Sequence, residues 1–274
     1  EATIMPRIPV IALLTLLNVL PATPSAAAAS SALDAFRARD YGAALSGFNP
    51  AARAGDADAQ YYLGVMFQQG WGVIADPGTA AHWFETAARQ GHMKAQHNFA
   101  RLLQRGAGIA RDPVQAVAWF QRAANQGSAQ SAHQLGLAYY RGDGVERDYA
   151  LAQRWWREAY ANGVADAGYN LGILYRRGLG VARDGQAAFS LWQEAGRAGS
   201  HAAQNAVGSA YLNGDAGVYD PVLAYAWFRL AAEAGVAIAS KNAELALMRL
   251  NDTEREAAYN QADVLKRSLT TPGM

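Results

Sequence analysis

The chain has 274 residues, 51% of them apolar, and its 24 Lys and Arg nearly cancel its 23 Asp and Glu to leave a net charge of +1. That balance lacks the basic excess of nucleic-acid binders, so no nucleic-acid partner is expected, and it provides ample material for burial. Cysteine is absent, which excludes disulfides, thiolate metal sites, Cys nucleophiles and the lipid-accepting Cys of a bacterial lipoprotein.

Residues 1–29 are expected to lie outside the fold. Residues 1–4 read as a cloning scar or a misplaced start. Met5-Pro6-Arg7 then supplies a positive n-region, Ile8 to Leu20 an apolar run of about thirteen residues, and Pro21 to Ala29 a tail of small residues. This is the pattern of a cleavable signal peptide, with an uncleaved anchor as the lesser reading because the apolar run is shorter than the ~20 residues that a bilayer span needs. Ser25-Ala26-Ala27 and Ala27-Ala28-Ala29 both fit cleavage. The mature chain is therefore expected in the periplasm or outside the cell, with no membrane span.

Residues 30–56 are predicted to be an N-terminal capping helix pair. Asp40, Ala44, Phe48, Ala51, Ala52 and Gly55 each precede a counterpart by 36 residues, but the long loop of the later units is missing. From 57 to 238 the same period runs through five units without an insertion. Asp76 returns as Asp112, Asp148, Asp184 and Asp220, and Gly70 as Gly106, Gly142, Gly178 and Gly214. The pair Trp83/Phe84 returns as Trp119/Phe120, Trp155/Trp156, Leu191/Trp192 and Trp227/Phe228. Self-similarity at this period marks a solenoid, in which each unit buries its apolar face on its neighbours.

Two helices make each unit. Ala59, Tyr62, Leu63, Met66 and Phe67 lie on one stripe of a first helix, A, which Gly70 ends in a left-handed conformation. After a loop, Asp76-Pro77 is an N-cap followed by Pro at the first helical position, and Ala80, Trp83, Phe84, Ala87 and Ala88 form the stripe of helix B. Six of the seven Trp occupy the paired aromatic columns of helix B and are expected in the core. Residues 239–270 are predicted to close the far end: Ala239 to Leu250 continues the helix A stripe, and a last helix runs from about Glu254 to Ser268 with Ala257, Ala258, Ala262, Leu265 and Leu269 facing inward.

The repeated small residues, loop glycines, Asp and Trp between Ala59 and Gly235 resemble the Sel-one-like repeat (SLR) family, relatives of the tetratricopeptide repeats. The departures are Ala100 and Glu244 at the motif glycine, Leu191 at the first Trp, and a shifted loop glycine in Asp215-Ala216-Gly217. The resemblance implies an all-α fold, a right-handed alpha-alpha superhelix of antiparallel helix pairs. It also implies an adaptor or scaffold that binds a protein partner on the concave face, often in bacterial envelope processes, and it brings no catalytic residues or cofactor.

No catalytic or cofactor-binding motif fits the sequence. GWGVIA, GAGIAR, GDGVER and GLGVAR begin like a dinucleotide fingerprint but follow a helix instead of a strand. His97 and His133 share a column but sit one repeat apart, about 10 Å at ordinary helix packing, too far to share a zinc ion. Two ladders remain as candidate binding surfaces. Tyr61, His97, His133, Tyr169 and Asn205 form a polar and aromatic column on the A helices, of the kind used to hold protein or sugar. Arg105, Arg141 and Arg177 end three successive A helices, each with a second Arg (Arg111, Arg147, Arg183) across its loop. Arg forks suit carboxylates, including an acidic polysaccharide, peptidoglycan stems or a protein's acidic tail. The bland alternatives are rings that merely cover the groove between helices, and arginines held by the helix dipole and by the neighbouring Asp112, Asp148 and Asp184.

Overall fold

The computed structural model describes residues 24–270, and every regular element within them is a helix. The expected signal segment up to residue 23 lies outside the described residues. An opening pair, α1 (Pro24–Arg37) and α2 (Tyr41–Arg53), starts ahead of the boundary expected at residue 30. Five hairpins follow: α3 (Ala57–Gln69) with α4 (Pro77–Arg89), α5 (Met93–Arg105) with α6 (Pro113–Asn125), α7 (Ala129–Arg141) with α8 (Tyr149–Ala161), α9 (Ala165–Arg177) with α10 (Gly185–Arg197), and α11 (His201–Asn213) with α12 (Pro221–Glu233). The chain then ends with α13 (Ala237–Leu247) and α14 (Asp252–Thr270). From α1 to α13 each helix packs on the next in sequence, and α14 packs on α12, so the core is a file of interfaces between neighbours and the architecture is an alpha-alpha solenoid.

Local chemistry sets the helix ends. The carboxylates of Asp76, Asp112, Asp148, Asp184 and Asp220 accept backbone N–H groups in the first turn of α4, α6, α8, α10 and α12. Pro occupies the first helical position of α4, α6 and α12, where its missing N–H costs nothing. The A helices α3, α5, α7, α9 and α11 all stop at a left-handed glycine. The A helices begin on Asp56, His92, Ser128 and Ser200 as side-chain caps, whereas Val164 leaves α9 with none.

Small residues govern how the layers meet. A Cβ at Gly64 would lie 2.6 Å from the Phe84 ring, and one at Gly136 would fall within the indole of Trp156. The second loop glycine does a different job. Gly144 has φ +79°, and a Cβ there would collide with the backbone of Pro113 at the start of α6; Gly72, Gly108 and Gly180 make the same approach, so the first four loops rest on the preceding B helix, whereas Gly217 in the fifth meets nothing. Phe84, Phe120, Trp156, Trp192 and Phe228 are buried at the crossings, and Trp119, Trp155 and Trp227 of the other column are buried too, while Trp83 is half-buried.

Buried glutamines supply a brace that the apolar stripe does not suggest. Gln60, Gln96 and Gln204 share one column, and their amides donate to the carbonyls of Ala52 (3.0 Å), Ala88 (3.2 Å) and Gly196 (3.0 Å) in the last turns of α2, α4 and α10. Gln90 and Gln126 in turn donate to the Gln60 and Gln96 side-chain oxygens, both at 2.7 Å. Each brace thus adds a side-chain donor to a helix-end carbonyl that also accepts a backbone N–H, from Gly55, Gly91 or Gly199. Gln96→Leu is expected to destabilise the chain by about 0.5–1.5 kcal/mol, because it removes the bond to the Ala88 carbonyl and the bond from Gln126, although the first group keeps the Gly91 N–H and the second the Gly91 carbonyl. Chemical denaturation that shows no loss would refute the brace.

The far end departs from the repeat. Glu244 stands on α13 where the other A helices carry a small residue, and it is exposed. Instead of crossing α13 at that point, α14 turns back along α12. Tyr259 meets Tyr225 edge-on at 5.4 Å, Asp263 pairs with Arg229 at 3.2 Å, and Lys266 pairs with Glu233 at 2.7 Å. The helix starts at Asp252, two residues before the expected Glu254, because Asn251 and Glu254 exchange reciprocal capping bonds of 2.9 and 3.0 Å. Ala258 and Ala262 are buried as expected, but Ala257 faces solvent.

Candidate functional site

The A helices carry both ladders. Their five-residue column falls on α3, α5, α7, α9 and α11 in common register, and each member is half-buried. The structure spends much of their polar capacity on the neighbouring A helix. His97 Nδ1 lies 2.8 Å from Ser131 Oγ, His133 Nε2 lies 2.9 Å from Asn170 Nδ2, and Asn205 Oδ1 accepts from Asn242 at 2.9 Å. Tyr61 stacks on His92, the cap of α5, with centroids 4.7 Å apart. Tyr169 lies 6.5 Å from the Trp192 ring, and its backbone carbonyl accepts the indole N–H at 3.0 Å. The column is therefore a set of rungs between successive repeats as well as a surface.

Electrostatics follow from this partial burial. Desolvation, with Arg101 nearby as a lesser influence, holds His97 down to about 4, so its ring is neutral at pH 7. Ser128 donates to Ser131 Oγ at 3.0 Å, which leaves the Ser131 proton for His97 Nδ1. Burial also lowers His133, partly offset by the carboxylate of Asp166, and raises the Tyr61 phenol. These are settings for holding a shape and not for moving protons near neutrality.

Cavities follow the same file. One of about 510 Å³ is walled by Phe48, Tyr61, Tyr62 and His92, and a second of about 350 Å³ shares Tyr61 with it and reaches His97 and Asn98. A third, about 480 Å³, lies between Tyr169, Asn205, Arg176 and Arg177. There the two ladders meet.

The arginine ladder divides into two kinds. Arg105, Arg141 and Arg177 end their helices exposed to solvent. Across the loops, Arg111 is committed: it donates to Asp143 of the next loop at 2.5 Å and to the Gln104 carbonyl at 3.1 Å. Arg147 lies over the Tyr149 ring at 5.5 Å. Adjacent aspartates were expected to hold these arginines, but Asp112, Asp148 and Asp184 are taken up in capping, and the partner of Arg111 comes from the following repeat.

Sequence reasoning missed the column Asn98, Asn170 and Asn242, two of which complete the rungs, and the Asp58–His92 pair, 3.0 Å apart, at the mouth of the first cavity. The available signal was recurrence at twice the period, which the mixed residues between them obscure. Among the described residues, no group of three or more His, Asp or Glu side chains is placed to hold a metal ion, and no helix is long and apolar enough to cross a membrane.

Comparison with known proteins agrees with this geometry. The Sel1 repeat model matches residues 57–92, 94–128, 129–164, 165–200 and 201–236. Among solved structures, the chain is 29% identical to a protective antigen of uropathogenic Escherichia coli strains that displays an SLR fold, with a TM-score of 0.76 over 87% of this chain and 53% of that one. The chain therefore spans about half the length of that antigen. It is also 28% identical to a Sel1 repeat protein from Oxalobacter formigenes, with a TM-score of 0.71 over 78% of this chain and 88% of that one. A search of the curated proteins finds no match. Such solenoids generally serve as protein-interaction scaffolds. With five matched repeats covering most of its length and the same architecture as solved relatives, the chain belongs to the Sel1 repeat family.

Proposed function

We propose that this protein is an exported, non-catalytic scaffold that holds a protein partner along the concave face lined by its A helices, in a bacterial envelope process. The observation that carries this reading is the file of three cavities walled by ladder residues, which ends where Tyr169, Asn205 and Arg177 converge. Aromatic rings there offer area at low entropy cost, and the exposed Arg105, Arg141 and Arg177 give the edge a carboxylate preference. The apolar leader at residues 8–20 supports export.

The test places a photocrosslinking residue at Lys94 or Ile173, both lining A-helix cavities, and at Arg89 on α4 as a control. A protein partner should crosslink from the first two positions in intact cells, and Tyr61→Ala with Tyr169→Ala and Arg177→Glu should reduce its yield at least about tenfold, the loss expected when interface anchors are removed. Crosslinking from Arg89 alone would refute the A-helix surface. Retention on purified peptidoglycan or an acidic polysaccharide, with no protein crosslinked, would replace the protein partner with a glycan.

A further inference from the structure

The indole column of helix B has one gap. Trp83, Trp119, Trp155 and Trp227 occupy it on α4, α6, α8 and α12, while α10 carries Leu191. The groove between α4 and α6 holds the column's indole and keeps a smaller hollow of about 450 Å³ beside it. Trp119 lies edge-on to Phe99 of α5 at 5.7 Å, and the Arg122 guanidinium covers its face at 4.3 Å.

Two periods later, the groove between α8 and α10 is floored by Leu171 and Tyr175 of α9 and walled by Tyr160 and Leu191, and it encloses about 610 Å³. The charges around it have changed places. Arg157 stands where Glu85 stands in the earlier groove, and Glu194 replaces Arg122. Arg157 donates to the Tyr175 hydroxyl at 2.9 Å, and the Tyr160 hydroxyl donates to Glu194 at 3.3 Å. A guanidinium still borders the groove, but it is tied to the wall instead of lying on a resident ring.

We propose that this cavity seats a tryptophan side chain of a partner polypeptide, inserted between α8 and α10 where the repeat's own indole is missing. The volume falls within the roughly 300–1,000 Å³ of ordinary ligand sites. Both tyrosine hydroxyls at the site are engaged and Asp184 caps α10, so the polar groups left to water are those of Arg157 and Ser190 at the exposed rim, while the walls give an apolar plane much to touch. Arg157 provides complementary charge, since a guanidinium beside the cavity attracts the negative face of an indole more strongly than it attracts an aliphatic side chain. Aromatic anchors in such pockets carry much of the energy of protein interfaces. This surface is on the B helices and goes beyond the A-helix reading above.

The test uses the full chain and N-acetyl-tryptophan amide, followed by heteronuclear NMR, with N-acetyl-leucine amide as control. Saturable amide shifts should map to α8, α9 and α10, and the leucine compound should bind several-fold more weakly. Leu191→Trp should weaken the shifts strongly and raise the thermal midpoint by narrowing the cavity; Leu191→Phe should weaken binding without loss of stability. Tyr61→Ala with Tyr169→Ala should leave tryptophan binding unchanged, which separates failure here from failure of the A-helix surface. The proposal is overturned if the tryptophan compound does not saturate, if Leu191→Trp binds it as the wild type does, or if Leu191→Trp lowers the midpoint or fails to fold.

Discussion

Gly136→Ala is expected to destabilise the protein, and Trp156→Phe in the same chain to return most of the loss. Alanine is the better helix former by about 1 kcal/mol, so propensity alone predicts a gain. Packing opposes it more strongly. The new methyl would occupy space held by the Trp156 indole, which is 1% exposed and has no room to withdraw. Overpacking of this kind costs roughly 1–3 kcal/mol, with a larger loss for Gly136→Val. The chain itself shows the remedy: in the second repeat Ala100 already faces Phe120, and both are fully buried. Trp156→Phe alone should also destabilise, since it removes ring volume and the 3.3 Å bond from Nε1 to the His133 carbonyl. A double-mutant cycle by urea denaturation should therefore give a favourable coupling of about 1–2 kcal/mol. Simple additivity would show that the glycine and the ring are not a matched pair.

Acidification should weaken the solenoid through His97 before carboxylates become important. The folded ring titrates at about 4 against an ordinary value of 6.5, so its neutral form is favoured by folding. Its contribution is complete above about pH 6.5, declines as the unfolded chain takes up a proton that the folded chain refuses, and stops declining below about pH 4. Full expression of that shift corresponds to on the order of 3 kcal/mol. His133, shifted in the same direction by burial, adds to the decline. His97→Asn offers a neutral replacement, because Asn205 fills the same column and reaches Asn242 across the helix gap at 2.9 Å. Unfolding free energies measured between about pH 7 and 4.5 should fall less steeply in the variant. Equal slopes for both proteins would remove His97 as the cause.

These two predictions differ in how far the sequence alone could reach them. The helix ends were legible because their signals are local: Asp76-Pro77 and Gly70 specify a start and a stop within a few residues, and the period repeats them. The crossing glycines were legible as columns, but only coordinates pair Gly136 with Trp156. The glutamine braces were hidden because a polar residue beside an apolar stripe reads as surface until its carbonyl, eight residues upstream, is located in the preceding helix. Arg111 was assigned to its sequence neighbour Asp112 for the same reason, although its partner Asp143 belongs to the next loop. Within the binding column, alternation of Tyr, His and Asn looked like a surface alone; the rungs to Ser131, Asn170 and Asn242 are long-range facts. The path of α14 was hidden too, because Glu244 shows that a regular crossing is lost without showing where the helix goes instead.

The glutamine braces are unevenly distributed, and this has a mechanical consequence. They fasten α2 to α3, α4 to α5, and α10 to α11, but Ala132 and Gly168 hold that column on α7 and α9. The same central stretch contains the uncapped start of α9 and the missing indole on α10. In a fold whose layers touch only their neighbours, compliance is local. The layers from α7 to α9 therefore lack a fastening that those before them have, and a long object gripped at both ends would flex this protein there.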